Sequence, residues 1–360
     1  MSAISERPRV LHVGPDPVDG GGMAASRRGL FASPLAERYR MEFLATYRSP
    51  SPLARSITFL GALLKLAAWS VRGRGRLVHV HATVRGSAYR KSLCVLLAKL
   101  LRRRVVLQVH SGAGDIAVFR GSRGRLSLGL FRAAFASADA VVSVSGASAE
   151  ALKEAGVEAR IEVVPNAAPP VARTERVRDD GPGGTVRFAY LGGFANSAKG
   201  GDVLLAALEG AIARSPELRI ELAGPGELPE AGAELIERGL PVTWLGWLDE
   251  DAKAALLDRS QALVLSSRSE GLPMALLEGM ARGMAIVSTR VGGIPEVVGD
   301  REGILVPPED PEALADALCA LAADPELRDR LGEAARVRVE RLDEVEVAGR
   351  LEELYERLLG

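Results

Sequence analysis

Short runs of β-branched residues alternate with longer stretches of helical period along almost the whole chain of 360 residues, and no other feature narrows the fold as much. The pattern predicts strands over Arg9 to Gly14, Leu77 to Ala82, Arg104 to His110 and Ala138 to Ser145 in the first half. In the second half it predicts them over Val186 to Gly192, Leu218 to Gly224, Val242 to Gly246, Ala262 to Ser266, Ala285 to Thr289 and Gly303 to Val306. Such alternation builds parallel sheets, because each parallel partner needs a crossover long enough to hold a helix. The crossovers are right-handed and leave ligand sites at the carboxyl ends of the strands. At about 150 residues per domain the length suggests two cores, so the expected fold class is α/β, with two Rossmann-like parallel-sheet domains facing across a cleft. The segment from Asn166 to Gly184 holds three prolines and three glycines without an apolar period, and it marks the boundary. The expected organisation is a first domain over 1–168, a linker over 169–184, a second domain over 185–343 and a terminal helix over 344–360 that crosses back to the first. Leu351, Leu354, Tyr355 and Leu358 fall on one face of that helix.

Charge divides the chain in the same place. Residues 1–180 carry 28 Lys and Arg against 14 Asp and Glu, residues 181–360 carry 18 against 32, and the formal total is zero. Between Arg48 and Arg132 stand 17 basic residues with Asp115 as the only acid, so this part of the chain expects an anionic neighbour. Aromatic residues are only 4% of the chain and form no stacking series, which argues against nucleic acid. An anionic membrane surface fits better, through the cation-flanked helical stretches Leu53 to Arg74 and Tyr89 to Arg104. The alternative that their apolar faces are simply core stays open. The apolar stretch Ile57 to Val71 is interrupted by Lys65 and falls short of the roughly 20 residues a spanning helix needs, so no transmembrane segment is expected. Two cysteines, Cys94 and Cys319, and no leader pattern at the N-terminus point to a reducing, cytoplasmic setting, peripheral to the inner face of a membrane.

The strongest local signal runs from Ser266 to Glu278, a segment that leaves a strand and opens a helix. Pro273 suits a first helical turn, where a missing N–H costs nothing, so the amides around Leu272, Met274 and Ala275 are expected to point out of the helix start. Amides and the positive end of the dipole together favour phosphate there. Glu278 lies about one and a half turns on, within reach of a sugar hydroxyl pair, and Glu270 and Gly271 sit at the strand exit. The bland alternative makes Glu270 a helix cap and Glu278 a solvated acid.

A second loop, Leu191 to Gly201, closes a strand with Gly192 and Gly193, and Lys199 in it could meet a diphosphate. A third, Gly20-Gly21-Gly22 ahead of a helix from Ala24, permits backbone to lie against a ligand; it matches neither the dinucleotide fingerprint nor a P-loop. His110 belongs at the ligand edge of its sheet or in a cap. His79 and His81 share a strand face, but no third ligand is apparent, and no metal is expected. Asp249-Glu250-Asp251 precedes a helical stretch and reads as capping acids rather than a metal-binding pair.

Together these motifs resemble glycosyltransferase family 4, the retaining, metal-independent enzymes of GT-B architecture. The resemblance covers nearly the whole length: Glu270 to Glu278 as the Glu-x7-Glu motif, Gly279-Met280-Ala281-Arg282-Gly283, Val291-Gly292-Gly293-Ile294-Pro295-Glu296, Ser143-Val144-Ser145, Val163-Val164-Pro165-Asn166 and Ala223-Gly224-Pro225-Gly226. It implies that Glu278 binds the nucleotide ribose, that Glu270 contacts the donor sugar, that His110 lies near the donor hexose and that Gly20 to Gly22 line the donor. Lys199 matches the lysine that holds the diphosphate. The family's arginine partner falls on Gly193 or Phe194, and Arg268 or Arg290 are the candidates to replace it. The stretches His79-Val80-His81, Gly86 to Lys91 and Gln108-Val109-His110 look most like the subset that builds exopolysaccharide or capsule repeat units.

The resemblance implies transfer of a hexosyl unit from a nucleoside diphosphate sugar, UDP-sugar before GDP-sugar, to an acceptor hydroxyl on a lipid-linked or saccharide carrier, the first domain binding acceptor and the second donor. The catalytic residues would be Lys199, Glu270 and His110. The donor would be bound by Gly20, Gly21, Gly22, Gly193, Gly271, Leu272, Pro273, Met274 and Glu278, with no cofactor beyond the donor itself. Alternatives are a nucleotide-sugar epimerase or phosphorylase of the same fold, and a non-catalytic sugar-nucleotide-binding partner.

Overall fold

A computed structural model describes the chain except residues 1–6, 16–21, 48–50, 73–76, 85–87, 123–124 and 171–183. Most of the expected linker and the first two residues of the triple-glycine loop, Gly20 and Gly21, therefore lie outside the described residues. So do Gly86 and Ser87.

The chain divides into two compact units, residues 1–167 with 344–360, and residues 168–343. The first holds strands β1 (Arg9–Gly14), β2 (Arg40–Ala45), β3 (Leu77–Ala82), β4 (Arg104–Val109), β5 (Ala140–Ser143) and β6 (Ile161–Val163) in the order β2-β1-β3-β4-β5-β6. Its helices are α1 (Gly22–Ala32), α2 (Leu35–Arg38), α3 (Pro52–Arg72), α4 (Ala88–Leu100), α5 (Ala113–Ser122), α6 (Arg125–Ser137) and α7 (Gly146–Glu154). The second unit holds β7 (Val186–Tyr190), β8 (Leu218–Leu222), β9 (Val242–Trp244), β10 (Ala262–Leu265), β11 (Ala285–Thr289) and β12 (Gly303–Val306) in the order β12-β11-β10-β7-β8-β9. Between them run α8 (Gly201–Arg214), α9 (Glu230–Glu237), α10 (Glu250–Arg259), α11 (Met274–Ala281), α12 (Ile294–Val297), α13 (Pro311–Ala323) and α14 (Pro325–Val339). Every strand pair in both sheets is parallel, as the alternation requires.

Central strands are buried on both faces, which is why every residue of β3, β5, β10 and β11 is buried and none of them alternates apolar with charged residues. The pattern fails for β2 and β6. The first is an edge strand with Arg40 and Glu42 on partly open faces, and the second has only three residues, so neither carries the signal of a buried strand. Several strands also stop before their expected ends, β7 at Tyr190 and β5 at Ser143, handing their last residues to the loops that carry the candidate groups.

Helix α15 (Glu344–Leu359) belongs to the first unit and buries Val347, Ala348, Leu351, Leu354 and Tyr355. Arg357 reaches Glu162 at 2.6 Å, and Tyr355 places its hydroxyl 2.5 Å from Nδ1 of His79. Helix α3 corrects the expectation drawn from Ile57 to Val71. It begins at Pro52, a residue suited to a helix start, so Leu53 to Val71 form 19 residues long and apolar enough to cross a membrane by length and composition. One of its faces is nevertheless in the core, where Ala62 and Leu66 are at most 2% exposed.

Candidate active site

In a sheet of this kind the crevice opens where the chain turns from building one way to building the other. In the second unit that point lies between β7 and β10, the neighbouring strands from which the order runs outward in opposite directions. The loop after β7 carries Lys199 and the loop after β10 carries Glu270. Topology therefore brings together two residues that stand 71 positions apart: Nζ of Lys199 donates to Oε1 of Glu270 at 2.8 Å. The hydroxyl of Ser267 donates to the same oxygen at 2.7 Å.

The loops approach so closely that side chains would not fit. Gly200 is left-handed at φ 62°, and a Cβ there would fall 1.9 Å from the carbonyl oxygen of Ser266. Gly292, at φ 56°, would put one 1.7 Å from the carbonyl oxygen of Glu270. Gly193, at φ 61°, lies against the backbone of Gly224 and Pro225. These three positions explain why the motifs are glycine-rich.

Glu270 is 7% exposed and Glu278 6%, so the surface-acid reading of Glu278 does not hold, and Glu270 pairs with Lys199 and Ser267 rather than capping a helix. Glu278 lies on α11. Its Oε1 accepts from Nζ of Lys253 at 2.8 Å, and its Oε2 is buried without a partner among the described residues. Lys253 sits on α10 and also pairs with Glu250 at 3.0 Å. Neither Lys253 nor Ser267 stood out in the sequence. Lys253 is one cation among many on an exposed helix, and only the packing of α10 shows that it reaches Glu278.

The start of α11 differs by one residue from expectation. Pro273 is the N-cap, with φ −72° and ψ 132°, and Met274 is the first helical residue. A proline fixes φ but leaves ψ extended as easily as helical, so the cap position suits it as well as the first turn. Leu272, Pro273 and Met274 are buried, and Gly271 accepts from the amide of Gly293 at 2.7 Å. The first-turn amides still lack intrahelical acceptors by geometry.

Of the two arginines considered for the diphosphate, Arg268 is already engaged. It forms two 2.7 Å bonds to Asp202, pairs with Glu309 and donates to the carbonyl of Ser197. Those two carboxylates hold its guanidinium well above its usual range. Arg290 follows β11, is exposed, and has no side-chain partner among the described residues. Asp249 caps α10 by accepting from the amide of Ala252 at 2.8 Å, as the sequence suggested.

The first unit gathers all four histidines of the chain. His12 on β1 lies beside His79 in the register of β1 and β3. It supplies the third imidazole that the sequence reading of His79 and His81 lacked, since adjacency between strands 67 residues apart leaves no mark in local spacing. Nδ1 of His12 is 3.0 Å from Nε2 of His81, and Nδ1 of His81 is 3.1 Å from Nε2 of His110, which stands just past β4. Each of His12, His79 and His81 offers a ring nitrogen within 4.8 Å of the others. Their ring planes are 10° to 29° apart, and a metal would have to displace the nitrogen-to-nitrogen contact of His12 with His81. Burial, then the nearby Arg27, lowers His12 to about 3 and His110 to about 4. Burial also takes His79 and His81 well below the usual range. The stack is therefore uncharged at neutral pH. Of the triple-glycine motif the structure describes Gly22, which begins α1 two residues earlier than expected.

Residues 25–170 match the family model Glycosyltransferase Family 4, and residues 185–324 match Glycosyl transferases group 1. The two halves of the chain thus carry glycosyltransferase family domains, family 4 in the first and group 1 in the second. Among curated glycosyltransferases, sulfoquinovosyl transferase SQD2 of Arabidopsis thaliana is 32% identical over 140 residues, 38% of this chain and 27% of that protein. The phosphatidyl-myo-inositol mannosyltransferase of Mycolicibacterium smegmatis is 31% identical over 174 residues, 48% of this chain and 45% of that one. The matched part thus spans less than half the length of these relatives. Solved glycosyltransferases of GT-B fold superpose over the full length. Sucrose-phosphate synthase of Thermosynechococcus elongatus gives a TM-score of 0.78 at 22% identity, covering 98% of this chain and 99% of that one. HepE of Anabaena, in complex with UDP, gives 0.73 at 17%, covering 97% and 100%. The two parallel sheets with flanking helices are those of the GT-B glycosyltransferases.

Proposed function

We propose that this chain moves a hexosyl unit from a nucleoside diphosphate sugar to an acceptor hydroxyl, with retention at the anomeric carbon and without a metal. The observation that carries the reading is Oε2 of Glu278, a buried carboxylate oxygen with no partner among the described residues while its twin is held by Lys253. An acceptor left unsatisfied in the interior costs about 1–3 kcal/mol or more, and a ribose hydroxyl would satisfy it. Beside it, the amides at the start of α11 and the cation of Lys199 suit a diphosphate.

Catalysis on this reading is charge stabilisation of the leaving diphosphate. Lys199, aimed by Glu270 and Ser267, and the α11 amides meet the negative charge as the bond from the anomeric carbon to the phosphate oxygen breaks. The acceptor oxygen bonds to the same carbon from the same face and passes its proton to the departing phosphate, so no protein base is required. The acids at 249–251 support metal independence, because Asp249 is occupied in capping α10. UDP is supported by the HepE complex, and a lipid-linked acceptor by the acceptor for which the mannosyltransferase relative is named.

The test is turnover of a panel of UDP- and GDP-sugars by the full chain with membrane extract as acceptor source. Release of free nucleotide should depend on the extract. Lys199→Ala and Glu278→Ala should each lower it at least about tenfold, which is about 1.4 kcal/mol in barrier. Unchanged turnover in both would overturn the assignment.

A further inference from the structure

Helix α3 has two faces. One packs against the first unit's sheet and α4 and buries Ala62, Leu66 and Ser70. The other carries Leu53, Ile57, Leu60, Leu64 and Val71, which are 72%, 64%, 61%, 66% and 73% exposed. At about 100° per residue these five fall within a stripe about 60° wide running the length of the helix. A second candidate, α4, reads the same way in sequence, yet its apolar residues Cys94, Val95 and Ala98 are core and only Leu93 and Leu100 at its surface are exposed, too few for a stripe. The structure separates the two helices: the apolar face of α4 is used inside, and the outer face of α3 has no partner among the described residues.

Large aliphatic residues gathered on one exposed stripe mark a surface that something covers. The surrounding sequence says what kind of partner fits. From residue 48 to residue 132 there are 17 basic residues and one acid, and Lys65 is exposed on α3 itself. An occupant that is apolar along a line and acidic where it meets Lys65 and the basic excess of this stretch has the chemistry of a bilayer surface with acidic headgroups.

We propose that α3 lies in the plane of an anionic membrane, its Leu53 to Val71 stripe among the acyl chains and the neighbouring cations at the headgroups. The helix lies flat rather than spanning, because Lys65 is near its middle and its opposite face is fixed in the core. This inference does not rest on the glycosyl-transfer reading.

The experiment is co-sedimentation of the full chain with phosphatidylcholine vesicles, with and without phosphatidylglycerol. The wild type should bind anionic vesicles at least tenfold more than neutral ones, and less in high salt. The variant Leu60→Ser with Leu64→Ser should lose at least tenfold of that binding. Both positions are exposed, so its melting temperature should stay that of the wild type, which keeps the comparison valid. Equal binding of wild type and variant, or no preference for anionic vesicles, would overturn the proposal. So would a lipid-free dimer that the two substitutions convert to monomer, since the stripe would then belong to a second copy.

Discussion

The C-terminal unit gathers its candidate groups as opposite charges, while the N-terminal unit gathers its own as uncharged rings. In the first case Lys199 meets Glu270, Lys253 meets Glu278 and Arg268 meets Asp202, all around the point where the strand order reverses. In the second, His12, His79 and His81 form a buried stack that the partly exposed His110 joins through His81. The difference matters chemically. A cation held by a carboxylate can exchange that partner for an anionic ligand, whereas a neutral stack resists protonation and offers hydrogen bonds of fixed direction.

The largest effect expected from breaking this contrast is at Gly200. Gly200→Ala would drive a Cβ into the Ser266 carbonyl at a left-handed φ, separating the Lys199 and Glu270 loops. A loss of about 3 kcal/mol or more in chemical denaturation is expected, and a loss under about 1 kcal/mol would show that the loops are not locked as described.

Acid should expose the other unit. An unfolded histidine titrates near 6.5, while His110 and His12 in the folded chain titrate near 4 and 3. The unfolded state thus binds more protons between those values. Stability from the stack is intact above about pH 6.5 and falls as pH drops through about 4. Hydrogen exchange should show the N-terminal unit loosening first in that window, and His12→Leu should flatten the dependence. If the C-terminal unit loosens first, the contrast between the units is wrong.

A smaller effect sharpens the charged side. Asp249→Ala removes the α10 cap and should cost about 1 kcal/mol in stability, leaving turnover indifferent to added Mn²⁺ as before. A metal-rescued loss of turnover would make Asp249 a ligand instead.

Much of this was legible in one dimension. The parallel sheets followed from the alternation, and the glycine-rich loop 191–201 marked a place of close approach, although what Gly193 and Gly200 approach is neighbouring backbone. Edge strand β2 and three-residue β6 were not legible, because neither is buried enough to carry a pattern. Lys253, Ser267 and His12 were missed for another reason: each acts through a neighbour tens of residues away or through a shared loop, and no local spacing encodes that.

By itself, then, the sequence determined the α/β class, the resemblance to a family and the segments that hold the candidate groups, because periodicity, glycine and charge are local properties of a chain. Tertiary structure alone decided that Arg268 is spent on Asp202 and Glu309, that one oxygen of Glu278 has no partner among the described residues, that the four histidines come together, and that α3 shows a long apolar stripe to the outside. Those are matters of which surfaces meet, and burial is fixed only when strands and helices from distant stretches pack against one another.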